Sequence, residues 1–123
     1  MTSRRRLDRG QATVELALAL PLVCLLLFGI VQVAVLARDQ LAVQLAAREA
    51  ARAAAASSDV AGAGNVAAQR AVALRPLVIE VSEVAGTVTA TVTYTDHTDV
   101  PLIGALLPDV VLTATVTMAV EPP

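Results

Sequence analysis

The residues able to do chemistry are few and scattered. Glu15 stands where the charges stop, in Arg9-Gly10-Gln11-Ala12-Thr13-Val14-Glu15, and an apolar run begins directly after it. A carboxylate at the edge of such a run is costly unless it stays near lipid headgroups or meets a cation, so a functional role is the default expectation for it. Gly10, small and flexible ahead of the run, would let a protease hold the backbone in an extended form. Asp96-His97-Thr98-Asp99 is the other polar cluster, but one histidine and two aspartates in a loop lack the further ligands and the pocket that zinc or acid–base catalysis needs. Ser57 and Ser58 sit outside any nucleophile-elbow pattern, and there is no Walker loop or dinucleotide fingerprint. Cys24, the single cysteine, has no partner for an intrachain disulfide or a thiolate zinc site. The expectation is a protein without catalytic residues, metal or cofactor.

The elements that position these residues follow from an uneven composition. The 123 residues are 56% hydrophobic, with a formal charge of -2, which suits one small domain. Lysine is absent and the nine arginines form no long basic tract, so nucleic acid is not expected as a partner. Leu16 to Ala37 carries no charge over 22 residues. At about 1.5 Å per residue a helix of that length covers roughly 33 Å, enough to cross a hydrocarbon core of about 30 Å. Residues 11–37 are therefore read as a transmembrane helix, with Cys24 as a packing residue inside it.

Arg4, Arg5, Arg6 and Arg9 against Asp8 give +3 ahead of the run, whereas Arg38 and Asp39 cancel just after it. This bias places the N-terminus in the cytoplasm, and residues 38–123 outside it, on a single-pass inner or cytoplasmic membrane protein. A cleaved secretory signal shares the basic start, but its apolar core is normally about 7 to 15 residues long and ends in a small-x-small site, which Val35-Leu36-Ala37 does not provide. A lipoprotein reading is weaker still, because Val23 precedes Cys24 where a small residue would stand.

Past the run, Gln40 to Ala56 lacks Gly and Pro and is rich in helix formers, so the helix is expected to continue over 38–56. At 100° per residue Leu41, Leu45, Arg48 and Arg52 form one stripe and Val43, Ala47, Ala50 and Ala54 the opposite one. The small-residue stripe suits a packed layer, and the other is left for water, lipid or a neighbouring subunit. Ser57-Ser58-Asp59 with Gly62 and Gly64 reads as a flexible connection, and Asn65 as the cap of a short helix over 66–74 that Pro76 stops. The period then turns to alternation. Strands are expected over 77–84, 87–95 and 109–120, with a turn at Ala85-Gly86. Val88, Ala90, Val92 and Tyr94 of the second strand and Leu112, Ala114, Val116 and Met118 of the third share the apolar face. Asp96 to Pro108, with Leu102-Ile103 and Leu106-Leu107, is read as a loop touching the membrane or another subunit.

A basic leader ending in glycine, followed by an apolar helix with glutamate fifth, resembles the processing site of type IV pilin precursors. RGQATVELALALPL followed by RDQLAVQLAAREAARAAA is similar to the TadE-like family, pilin-like proteins of tight-adherence (Flp-type) pilus systems. Gln11 stands where typical pilins carry an aromatic residue. The resemblance implies a leader peptide at 1–10 removed between Gly10 and Gln11 by a prepilin peptidase, and a role for Glu15 in assembly. It also implies a pilin-like α+β fold: a long N-terminal transmembrane helix continues into a small exported domain, which holds a short helix and a three-stranded antiparallel sheet. The expected partners are other pilins or pseudopilins, the pilus assembly platform and membrane lipid. Contacts with subunits or lipid fall to Leu41, Leu45, Arg48 and Arg52.

The function expected is that of a pseudopilin that assembles or decorates a tight-adherence pilus. A permanent single-pass anchor carrying an extracytoplasmic binding domain, outside any filament, is the alternative from a different class. The first requires cleavage at Gly10 and extraction into a fibre, and the second requires a retained leader.

Overall fold

The computed structural model describes residues 2–98, 102, 104–120 and 122. Their order is α1 (Thr2–Ala55), α2 (Val60–Ala71), β1 (Leu77–Val84), β2 (Thr87–Asp96) and β3 (Val110–Ala119), an α+β architecture. α1 is one helix of 54 residues, about 80 Å long at the usual rise. It joins the expected transmembrane and exported helical segments, and it also takes in the basic residues ahead of them. Gly10 is therefore helical here, not extended. A single glycine weakens a helix by only about 1 kcal/mol against alanine, and the flanking residues are good helix formers.

The connection after α1 is shorter than the sequence suggested. α2 starts at Val60, not at 66, and ends at Ala71, not at 74. The cap is Asp59, whose Oδ1 accepts from the Gly62 backbone N at 3.1 Å, and Asn65 instead lies inside the helix, where it accepts from Gln69 Nε2 at 2.8 Å. An aspartate ahead of the first turn satisfies an orphan N–H and favours the positive end of the helix, which outweighs the two glycines. At the other end the Arg75 guanidinium donates to the Gln69, Val72 and Leu74 carbonyls, so the last turn is closed by a side chain.

The sheet has the order β1-β2-β3 with both pairs antiparallel. Val84 pairs with Thr87 across Ala85-Gly86, and both turn residues have positive φ, 52° and 75°, as a two-residue hairpin matching the strand twist requires. The alternation holds: Val88, Ala90 and Val92 are fully buried, and β3 packs through Leu112, Ala114, Val116 and Met118. On the outer face three threonine pairs, 89–117, 91–115 and 93–113, bring their hydroxyls to 3.1–3.5 Å. These are cross-strand contacts of the kind that fix register.

The stripe Val43, Ala47, Ala50 and Ala54 is buried under the sheet as its spacing predicts, together with Ala46 and Ala51. Such small side chains contribute little apolar area each, but they let two layers approach α1 at once. At Gly64 of α2 an added Cβ would lie 2.8 Å from Val81 Cγ2 and 3.2 Å from the Ala50 carbonyl oxygen. That helix crossing is closed to any side chain.

Candidate functional site

Three regions of α1 carry the residues singled out by the sequence. At the first, Glu15 is exposed, and Gln11 one turn earlier donates from Nε2 to Glu15 Oε1 at 3.4 Å. Thr13 Oγ1 donates back to the Arg9 carbonyl at 2.9 Å, which ties the turn containing Gly10. No neighbour lies within 4 Å of a Cβ built on Gly10. The Gly10–Gln11 bond is thus open on the helix surface, and among the described residues nothing covers Glu15.

The second region is the apolar run. It is long and apolar enough to cross a membrane, and only 6% of its most apolar window is buried. Leu16, Leu18, Leu20, Leu22 and Leu26 are all exposed by more than half. A helix of a soluble core would be covered, so length, composition and exposure together fit a single-pass membrane anchor. One residue departs from this pattern. Gln32 is buried, 3% exposed, and its Nε2 donates to Thr98 Oγ1 at 3.4 Å. The sequence reading missed this contact, although a lone amide in an uncharged run was its signal.

In the third region, Leu41, Leu45, Arg48 and Arg52 face outward on α1 as expected, opposite the sheet. Leu45 and Glu49 form one wall of an open groove, and Ala63, Val66 and Arg70 of α2 form the other. Just below, Asp39 is buried and Arg38 exposed.

The polar loop cluster does not converge on a site. Asp96 is buried on the sheet's inner side, whereas His97 turns outward to pair its Nδ1 with Asp109 Oδ2 at 3.0 Å. Asp99, Pro101 and Ile103 lie outside the described residues. Among the described residues there is no grouping of three or more His, Cys, Asp or Glu side chains that could hold a metal ion.

The junction at Gly10, the exposed run and the two-faced helix after it form one continuous stretch, and residues 10–52 match the family model described as TadE-like protein. This segment is similar to the TadE-like family. The TadE-like match begins at Gly10 and ends at Arg52, so it takes in Gln11, Glu15, the apolar run, the small-residue stripe and all four outward residues of the third region. α2 and the sheet lie outside it. No curated protein and no solved structure matches the chain.

Proposed function

We propose that this chain is a membrane-anchored pseudopilin that takes part in assembling or decorating a tight-adherence pilus, with its N-terminus cytoplasmic and its α+β domain extracytoplasmic. The observation that supports this most is the TadE-like segment, with Gly10 and with Glu15 at the edge of an exposed apolar helix, directly after a basic stretch. The same helix then buries one face under its own sheet and leaves Leu41, Leu45, Arg48 and Arg52 free for subunits, the assembly platform or lipid headgroups. A prepilin peptidase is the proposed processing enzyme, cutting between Gly10 and Gln11. The bond is helical here, so the cut needs a local opening, and glycine lowers the cost of that opening.

Intact-mass measurement and N-terminal sequencing of the protein recovered from membranes test the reading. A mature chain beginning at Gln11 is expected. A retained leader points to the permanent anchor with an extracytoplasmic binding domain, and a start beyond Ala37 points to a secreted protein. Either outcome overturns the proposal.

A further inference from the structure

Among the described residues between β2 and β3, Leu102, Ala105 and Leu106 lie against α1, where they share an apolar cleft with Pro21, Cys24 and Leu25. The neck of this loop is polar: Thr98 accepts from the buried Gln32, and His97 pairs with Asp109. Its tip is not. Leu102 and Leu106 are 64% and 77% exposed, Leu107 is also exposed, and residues 102–107 contain no charge.

We infer that this loop tip is a second membrane contact, entering the outer leaflet beside α1, and that the outer edge of the hydrocarbon lies near Gln32 and Thr98 rather than at Arg38. Leu25 and Pro21 stand 7 and 11 residues before Gln32, so with the edge at Gln32 the tip sits about 10–16 Å below it, no deeper than about the bilayer centre. With the edge at Arg38 the same tip would lie roughly 20–26 Å deep, past the bilayer centre. Irregular backbone leaves peptide groups unpaired wherever it meets hydrocarbon, so the setting that immerses less of the loop is favoured. These polar contacts fit the shallower setting, because the Gln32 amide, the Thr98 hydroxyl and the His97–Asp109 contact lie at the neck and everything described below them on the loop is apolar. A core of about 20 residues counted down from Gln32 also ends close to Thr13, which leaves Glu15 at the inner edge. Lipid is the occupant because the exposed leucines continue the surface of the exposed run, which must itself lie in lipid.

This rests on the membrane-anchor reading, and the test separates the two. In the full chain with Cys24→Ala, single nitroxide labels are placed by Leu106→Cys, Leu26→Cys and Thr115→Cys, all at exposed positions. The protein is reconstituted in phosphatidylcholine–phosphatidylglycerol vesicles, and collision with oxygen is compared with collision with a water-soluble nickel chelate. Oxygen should dominate at 106 and 26, and nickel at 115. Nickel dominance at 106 with oxygen dominance at 26 overturns the loop contact alone, whereas nickel dominance at 26 overturns the anchor. A label at 106 that meets neither reagent and crosslinks two copies assigns the tip to protein instead of lipid, which also overturns the inference.

Discussion

Gln11 donates its side-chain amide to Glu15 one helical turn away, at 3.4 Å and on an exposed surface. Both residues lie just after the proposed processing point. Cleavage would place a cationic α-amino group at residue 11, so the pair would change from amide and carboxylate to ammonium and carboxylate at the rim of a low-dielectric layer. Each charge is costly there without a partner. In an array of staggered helices the amine of one chain can meet the carboxylate of the next, which gives an apolar bundle a polar register mark.

Glu15→Ala should accordingly leave membrane insertion and loss of residues 1–10 close to normal, while crosslinking to partner pilins in membrane fractions falls. Glu15→Gln, which keeps the shape and one acceptor, should lie between. Unchanged crosslinking in both variants would return Glu15 to a solvated interfacial role.

The hairpin at Ala85-Gly86 offers a stabilising change. Ala85 has φ 52°, where a Cβ costs about 1–2 kcal/mol and asparagine or glycine is better tolerated. Ala85→Asn should raise the thermal midpoint of the detergent-solubilised chain, with a gain of up to about 1 kcal/mol. A lower midpoint would contradict the turn geometry.

How far these features were legible in the residues depended on what each one obeys. The strands were plain because Val88, Ala90 and Val92 alternate with threonines, and one buried face fixes the register. The stripe from Val43 to Ala54 was plain for the same reason at helical period. The start of α2 was not, because Gly62 and Gly64 read as breakers, while Gly64 is set by a tertiary contact, the closeness of α1, and Gly62 by the local Asp59 cap, whose carboxylate a Cβ would strike. The contact of Gln32 with Thr98 was half hidden: the lone amide in an uncharged run marked Gln32, but 66 residues separate it from Thr98 and no local pattern names such a partner. At the proposed processing site, residue order made Gly10, Gln11 and Glu15 recognisable, but not the continuous helix that holds them.

Two substitutions probe the crossing of α1 and α2. Gly64→Ala puts a methyl against Val81 and the Ala50 carbonyl, and Ala50→Trp forces a large ring into a fully buried site. Overpacking typically costs about 1–3 kcal/mol, and the tryptophan should exceed that range. Thermal unfolding and limited proteolysis of the full chain should show the loss in the order Trp above Ala. Tolerance of both would mean the layers are not packed as described.

The outward stripe should separate folding from assembly. Leu41 is 66% exposed and Arg48 is also exposed, and neither is needed by the sheet on the far side of α1. Exposed substitutions away from special features usually change stability by less than about 0.5 kcal/mol. Leu41→Glu and Arg48→Glu should therefore leave the thermal midpoint and membrane insertion nearly unchanged. Reversing charge beside a helix meant for other helices adds repulsion, and a glutamate in place of Leu41 adds a desolvation cost once a neighbour covers it. Crosslinking to partner pilins should drop in both variants, more in the double variant than in either single one. Loss of midpoint together with crosslinking would show that these residues support the protomer, and unchanged crosslinking would leave the stripe as a solvated face.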